Sequence, residues 1–232
     1  MAIVLFNKKI KDDIYMLKLK GKFEGKEGQF YMLKPKNTFL AKPISIHDID
    51  DEGITFLYQV KGEGTKYLAS LKQDMDIDLF GPRGNGFDIE NIEKDITVIG
   101  GGIGTAPLYY LVKQIKRKYP NKNIRVYLGF TKEDYLVKEF EDIADQVVVD
   151  VGGIITHKVD FTKDDLYFTC GPDIMMRSAY DLAKKAGREI IVSLENRMAC
   201  GVGACLGCNI STSHGNRKVC KDGPVFAGSE VY

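Results

Sequence analysis

The chain has 232 residues, enough for one large domain or for two ordinary domains with separate cores. Apolar residues make up 44% and charged residues 28% of it, which is the composition of a soluble globular protein. The 33 Lys and Arg residues almost balance the 32 Asp and Glu residues. A net charge of +1 gives no reason to expect nucleic acid or an anionic membrane as the main partner.

The first residues contain a short apolar run, without a preceding basic region or a small-residue cleavage site. This pattern predicts a first strand and no signal peptide. No window approaches 18 uninterrupted apolar residues, so we expect no membrane span. We therefore expect a cytoplasmic protein, in a compartment where thiols stay reduced and clustered cysteines usually serve metals or redox chemistry.

Residues 1–93 contain several short, alternating or β-rich segments, separated by Gly, Pro, Asn or Asp. The predicted strands cover 14–19, 30–34, 54–60 and 75–80. Several short strands at this spacing indicate a closed or nearly closed antiparallel β-barrel.

Residues 94–195 show a different pattern, in which strands alternate with helices. A buried-type strand at 95–99 leads into a glycine-rich turn and a helix, and a second helix is predicted at 173–184. Further strands are predicted at 125–130, 147–151, 166–169 and 189–194. This order indicates an α/β doubly wound parallel sheet. The fold class is therefore an α+β multidomain protein, which ends in a loop-rich segment at 196–232.

Four of the five cysteines lie in that last segment, as C-x4-C-x2-C-x11-C: Cys200, Cys205, Cys208 and Cys220. The first part is the plant-type spacing for a 2Fe–2S cluster. Structural zinc is the main alternative, but it prefers paired C-x2-C units and only one such unit is present. The fourth cysteine follows sooner than in ferredoxins, so the loop is related to theirs but not the same. The spacing predicts a 2Fe–2S cluster on these four thiolates.

The glycine-rich turn after the strand at 95–99 reads Gly100-Gly101-Gly102-Ile103-Gly104-Thr105. A turn of this kind at a helix N-terminus favours a pyrophosphate, although it could also be only a tight connection. Cys170-Gly171-Pro172 follows another predicted strand, at the same edge of the sheet. Cys170 could also be a buried small apolar residue, and its spacing excludes it from the cysteine cluster.

Three motifs in the first 93 residues combine turn residues with phosphate-compatible groups. They are Lys42-Pro43-Ile44-Ser45, the segment from Gly62 to Thr65, and the glycine-rich run from Gly81 to Phe87. The second could only cap a short helix, and the third could only be a linker between the two halves.

Six motifs, taken in chain order, resemble the ferredoxin–NADP reductase superfamily across essentially the whole chain. They are KPIS, GEGT, GPRGNGF, GGGIGTAP, CGP and SLENRMACGVGACLGC. More closely, the chain is similar to the electron-transfer subunits of NAD-dependent (type B) dihydroorotate dehydrogenases. The resemblance implies an FAD-binding barrel at 1–93, an NAD-binding domain at 94–195 and a 2Fe–2S segment at 196–232. It also implies a partner, the FMN-containing catalytic subunit of pyrimidine biosynthesis, in a heterotetramer with two copies of each subunit.

By this resemblance the FAD-binding residues are Lys42, Pro43, Ile44, Ser45, Leu57, Tyr58, Gln59, Gly64 and Thr65. The resemblance also implies that the nicotinamide nucleotide is framed by Gly100, Gly101, Gly102, Gly104, Thr105, Cys170, Gly171 and Pro172. The family usually has Arg at position 42, and Lys offers a point charge in place of a planar fork. The choice of NAD over NADP follows from the resemblance, and Asp150 at a strand end could bond ribose hydroxyls.

A nicotinamide exchanges two electrons and a 2Fe–2S cluster exchanges one, so a flavin between them is expected to connect the two. The chain has three histidines and no evident Ser/His/Asp or paired-carboxylate set, and we predict no catalytic acid or base. Two alternatives stay open. One is a flavin and iron–sulfur subunit of another complex, such as a ferredoxin–NADP oxidoreductase, a sulfide dehydrogenase or a hydrogenase. The other is a zinc-stabilised binding module without catalysis.

Overall fold

A computed structural model describes residues 1–36, 38–163 and 165–232. Six strands form a closed antiparallel barrel in the order β1-β2-β5-β4-β3-β6. They are β1 (Ala2–Lys11), β2 (Ile14–Lys20), β3 (Phe30–Lys34), β4 (Lys42–Ile49), β5 (Gly53–Gln59) and β6 (Asp76–Arg83). Alternate residues of these strands, among them Val4, Leu17, Leu33 and Phe56, are fully buried in the barrel core. The predicted barrel is confirmed, and β4 carries the Lys42–Ser45 motif.

One short helix, α1 (Glu63–Ser70), lies between β5 and β6. Its N-cap is Gly62, and the Thr65 hydroxyl accepts hydrogen bonds from the N–H groups of Lys61 (2.9 Å) and Gly62 (3.1 Å). The same hydroxyl donates to the Gly62 carbonyl oxygen at 3.0 Å. The segment from Gly62 to Thr65 therefore does cap a helix, as one of its two interpretations anticipated.

The second part of the chain is built on a six-stranded sheet in the order β14-β11-β10-β7-β8-β9. Its parallel strands are β7 (Ile96–Gly101), β8 (Ile124–Phe130), β9 (Gln146–Val151), β10 (Leu166–Cys170) and β11 (Ile190–Ser193). Helices α2 (Thr105–Lys118) and α3 (Val137–Glu141) pack on one face, and α4 (Asp173–Lys185) packs on the other. Short 3₁₀ turns occur at Gly102–Gly104 and Ile155–Lys158. The sheet is doubly wound, as predicted from the alternating pattern.

The tail contains more regular structure than the loop-rich sequence indicated. Strands β12 (Asn209–Thr212) and β13 (Gly215–Lys218) form a hairpin. Strand β14 (Val225–Ala227) pairs antiparallel with β11 and so adds an edge strand to the sheet, before a last turn of helix, α5 (Gly228–Val231). The tail is thus joined to the sheet by backbone hydrogen bonds.

The barrel and the sheet domain meet where β4 crosses α2. The buried His47 ring donates from Nδ1 to the Ala106 carbonyl oxygen at 2.8 Å and stacks on Tyr109. Beside it, Lys113 Nζ lies 2.7 Å from Asp48 Oδ2. These contacts hold the Lys42–Ser45 strand next to the glycine-rich turn that begins α2.

In the ranges described, no helix combines the length and the apolar character that crossing a membrane requires.

Candidate functional site

A cavity of about 250 Å³ lies between the barrel and the sheet domain. Seven of the predicted FAD-binding residues line it: Pro43, Ile44, Ser45, Leu57, Tyr58, Gln59 and Thr65. Phe30, Ile103, Glu195, Met198 and Pro224 are among its other walls. Ser45 lies directly opposite Phe30 in the β3–β4 register. The cavity is therefore shared by the barrel, the glycine-rich turn and the tail.

Neighbouring residues of β5 face different surroundings at this cavity. Tyr58 is only 2% exposed and donates its hydroxyl to Asn7 Oδ1 at 3.1 Å, inside the barrel. Burial raises the pKa of Tyr58 well above its usual value. Leu57 packs instead with the core of the sheet domain, and Gln59 donates to Asp13 Oδ2 at 2.8 Å. Although their side chains have different partners, all three residues are part of the cavity wall.

Lys42 is not part of the cavity wall, but its side chain lies across the first turn of α1. A Cβ atom added at Gly64 would be 2.1 Å from Lys42 Cε. The lysine stem thus occupies the space that a side chain at position 64 would take. A cation beside the free N–H groups of a helix N-terminus is an arrangement that suits a phosphate.

A second cavity, of about 540 Å³, opens at the carboxyl edge of the sheet. Its walls include Gly101, Gly102, Gly104, Gly171 and Pro172, together with Lys61, Tyr135 and Glu195. Gly100 and Cys170 are register partners on β7 and β10, which brings the two predicted motifs side by side.

The two turns approach each other very closely at Gly104. A Cβ atom there would lie 2.5 Å from the carbonyl carbon and oxygen of Cys170 and from Gly171 Cα. The Thr105 hydroxyl donates to the Gly102 carbonyl oxygen at 2.9 Å, which fixes the start of α2. The two glycine-containing turns thus lie side by side in the wall of this cavity, an arrangement typical of nucleotide-binding sites in open α/β sheets.

Next to this cavity lies a third one of about 420 Å³, lined by Gly129, Gly153, Thr156, His157 and Ser178 among others. Asp150 is not among its walls. Its Oδ1 atom pairs with Lys158 Nζ at 3.2 Å, and its carboxylate packs against Gly153. Asp150 is thus held by this chain's own lysine, beside the cavity that the ribose interpretation would require.

Cys170 is buried at the end of β10, in the core of the sheet domain. Burial raises the pKa of its thiol, and the charge of Glu195 raises it further. This cysteine therefore stays protonated, which is unlike a metal ligand.

Glu195 was not singled out in the sequence, although it lies in the walls of both main cavities. Burial raises the pKa of its carboxyl group. The available signal was its position two residues beyond β11, at the same carboxyl edge as the two turns. Sequence patterns alone do not distinguish such an acid from an ordinary loop residue.

The four cysteines of the tail each accept a backbone N–H. Cys200 Sγ accepts from Val202 and Cys205, each at 3.4 Å. The other three bonds are Gly203 to Cys220 Sγ at 3.1 Å, Gly207 to Cys205 Sγ at 3.5 Å and Cys220 to Cys208 Sγ at 3.4 Å. Donors directed at sulfur stabilise thiolates and influence the potential of an iron–sulfur cluster.

The four cysteines of the tail differ in their exposure to solvent. Cys208 and Cys220 are buried, Cys200 is half-buried and Cys205 is exposed. Hydrogen bonds, first from the Val202 N–H, lower the pKa of Cys200 to about 6, whereas burial raises the pKa of Cys220 to about 11. Among the described residues, no three or more His, Cys, Asp and Glu side chains surround a single metal-ion position. The four cysteines and their donors suit a 2Fe–2S cluster, in which each of the two irons binds two cysteine sulfurs.

The cysteine loop is covered by side chains from two directions. Met32 of β3 packs against Gly201, where an added Cβ would be 2.8 Å from Met32 Cγ. A Cβ atom added at Gly203 would lie 3.0 Å from Lys221 Cδ and 3.4 Å from Lys218 Cδ. The loop therefore contacts a barrel side chain at Gly201 and two lysine stems at Gly203.

Comparison with known proteins identifies this segment directly. Residues 195–232 match the family model described as the iron–sulfur cluster binding domain of dihydroorotate dehydrogenase B. The whole chain is similar to the dihydroorotate dehydrogenase B (NAD(+)) electron transfer subunit of Clostridium acetobutylicum, at 41% identity over 97% of this chain and 94% of the relative. The subunit of the same description from Clostridium perfringens is 37% identical, over 100% of this chain and 99% of the relative.

Solved structures extend the comparison to the fold. A chain in the structure of an NADH-dependent reduced ferredoxin–NADP oxidoreductase has a TM-score of 0.91 and 30% identity, over 100% of this chain and 90% of that one. A point mutant of ferredoxin–NADP+ reductase from Plasmodium falciparum has a TM-score of 0.67 and 16% identity, over 79% of this chain and 90% of that one. The second likeness concerns the fold alone.

Proposed function

The chain belongs to the family of dihydroorotate dehydrogenase B electron transfer subunits, and we propose that it carries electrons from an FMN-containing partner to NAD+. The electrons come from dihydroorotate oxidised on that partner, and they pass through a 2Fe–2S cluster and FAD. When bound, the flavin supplies the exchange between one-electron and two-electron chemistry that neither the cluster nor the nicotinamide provides.

The observation that carries the proposal is the set of five backbone N–H groups directed at the sulfurs of Cys200, Cys205, Cys208 and Cys220. Unligated cysteines need no such donors, since a thiol is a weak acceptor. The donors suit sulfurs that carry negative charge, as cluster thiolates do. We propose these four residues as the cluster ligands.

For the flavin, we propose the residues predicted from the sequence. Lys42 and the first turn of α1, with Gly64 and Thr65, would hold the pyrophosphate, and Ser45 would face the ring system from β4. Support comes from the shared cavity of Pro43–Ser45 and Leu57–Gln59, and from the lysine stem across Gly64.

For the nicotinamide nucleotide, we propose the groove between Gly100–Thr105 and Cys170–Pro172, supported by the close packing of the two turns. We likewise retain the domain ranges 1–93, 94–195 and 196–232 as proposals. They are supported by the last barrel strand, which ends at Arg83, and by β7, which begins at Ile96.

The family implies a catalytic partner subunit, and we propose that it docks over the cysteine loop, in a heterotetramer with two copies of each chain. Two apolar side chains stand out from that loop, Val202 at 46% and Leu206 at 60% exposure. The exposed Cys205 lies between them, and Lys221 adds positive charge beside Gly203. Apolar side chains with charges around them are the usual composition of a protein interface.

The test is co-purification of the chain with an FMN protein, followed by addition of dihydroorotate and NAD+ to the complex. We expect NADH to form with dihydroorotate and no NADH to form when the electron transfer chain is left out. The matched reaction replaces dihydroorotate by reduced ferredoxin.

A second function is favoured by one specific observation, the TM-score of 0.91 with a chain of a ferredoxin–NADP oxidoreductase. A complex that is inert to dihydroorotate but exchanges electrons with ferredoxin would contradict our proposal and support that alternative.

A further inference from the structure

The glycine-rich run from Gly81 to Phe87 does more than connect the barrel to the sheet domain. After β6 ends at Arg83, the chain turns against the tail, about 140 residues further on. Gly84, with φ of +81°, makes the closest approach. A Cβ there would be 2.5 Å from Pro224 Cδ and 2.8 Å from the Gly223 carbonyl oxygen. Only glycine fits this contact without displacing backbone.

Asn85 connects the same turn to the tail by hydrogen bonds in both directions. Its backbone N–H donates to the Gly223 carbonyl oxygen at 2.7 Å. Its side-chain Nδ2 donates to the carbonyl oxygens of Val225 at 2.7 Å and Asp222 at 3.3 Å. In return, the Val225 N–H donates to Asn85 Oδ1 at 3.1 Å. The amide therefore pairs with Val225 as a neighbouring strand would.

The segment that Asn85 holds touches both proposed cofactor sites. Cys220 stands at its beginning, with its N–H directed at Cys208 Sγ. Pro224, four residues later, is part of the wall of the flavin cavity. The Leu194 N–H donates to the Pro224 carbonyl oxygen at 2.9 Å. The segment is thus fixed to the sheet by Leu194 and to the barrel by Asn85.

We infer that Asn85 is the positioning residue that sets the Cys220 segment, and with it the cluster, at a fixed place relative to the flavin barrel. The inference rests on the proposed function, because it assigns Asn85 a task only if both groups are bound. Asn85 itself is exposed, but its two side-chain hydrogen bonds to Val225 are partly buried. Removing the amide leaves the Val225 N–H and carbonyl oxygen without this partner. Electron transfer between two groups then depends on this contact although Asn85 need touch neither.

The experiment uses the loaded complex with the FMN subunit, in the parent form and as Asn85→Ala, with Asn121→Ala as the matched control. Asn121 lies in the exposed turn between α2 and β8, and three strands of the sheet separate β8 from the tail strand β14. Stopped-flow absorbance after NADH addition separates flavin reduction from the later reduction of the cluster. A second readout is the rate at which a chelator removes iron.

We expect N85A to reduce its flavin at the parental rate, to reduce its cluster more slowly and to lose iron roughly tenfold faster. We expect N121A to match the parent in all three. Asn85→Asp keeps the acceptor for the Val225 N–H but removes the donor, and it decides the question if N85A does not fold. The same selective slowing is expected for it.

The inference would be overturned if N85A reduced its cluster and lost iron at the parental rates. If N85A is unfolded, the same outcome in N85D would overturn it. An equal slowing of flavin reduction would also overturn it, because the effect would then be general. A parent complex without iron and sulfide would refute the proposed function itself, and that outcome is read before any variant is made.

Discussion

At the scale of single residues, the role of the cysteines can be predicted from the sequence, whereas that of Lys42 depends on the fold. The C-x4-C-x2-C spacing already indicates a cluster, because ligand spacing is a local property of the sequence. Lys42 and Gly64 are more than 20 residues apart in the chain, and their contact depends on how β4 and α1 pack together. Its contribution therefore becomes visible only in the folded chain.

We predict that Lys42→Ala weakens FAD binding by about 1.5–3 kcal/mol, the contribution of a hydrogen bond to a charged group. Lys42→Arg is expected to retain most of the affinity, because a planar fork also binds pyrophosphate. Lys66→Ala is the control, since Lys66 lies on α1 close to Gly64 but forms an exposed pair with Glu63. Fluorescence titration with FAD measures all three. Equal affinities in K42A and K66A would contradict a phosphate contact at Lys42.

At the scale of elements, most strands of the barrel and of the parallel sheet were predictable, whereas the three strands of the tail were not. The strands at 30–34 and 166–170 follow from β-branched and aromatic runs between turn residues. Strand β14 has three residues, and its pairing with β11 depends on partners more than 30 residues away. The hydrogen bonds of Asn85 to Val225 are likewise invisible to local patterns. The sequence therefore indicates the two domains, but not how the tail joins them.

The contact between the two nucleotide turns gives a prediction at this scale. Gly104→Ala places a Cβ 2.5 Å from Cys170 backbone atoms, so one turn must move. We expect a loss of about 1–3 kcal/mol in the free energy of unfolding and weaker NADH binding. Gly62→Ala is the control, since nothing lies within 4 Å of its Cβ and φ is −150°. Its cost is expected to stay below about 1 kcal/mol. Urea unfolding that ranks the two variants equally would refute the close packing.

At the scale of the whole molecule, a contact that joins the barrel to the sheet domain responds to pH. His47 is buried between β4 and α2, and burial lowers the pKa of its ring. The unfolded chain binds a proton there below about pH 6.5, whereas the folded chain does so only at lower pH. The stability that the neutral ring contributes is therefore present above about pH 6.5 and is lost as the pH falls.

We expect the free energy of unfolding to decrease between pH 7.5 and 5.5, with up to about 1.4 kcal/mol per pH unit from this residue. His47→Gln keeps a donor for the Ala106 carbonyl oxygen but cannot titrate, so its pH dependence should be smaller. His157→Gln, at an exposed position, should behave as the parent does. Identical pH dependence in H47Q and the parent would show that His47 does not titrate on unfolding.

Anaerobic iron and sulfide analysis shows whether the four tail cysteines hold a 2Fe–2S cluster. Cys205→Ala is the informative variant, because Cys205 is exposed and its loss disturbs the fold least, and Cys170→Ala is its control. The parent and C170A should each contain about two irons and two sulfides per chain and show the EPR signal of a reduced cluster, and C205A should lack both. One zinc in the parent with neither iron nor sulfide, or a full cluster in C205A, would contradict a cluster on these four cysteines.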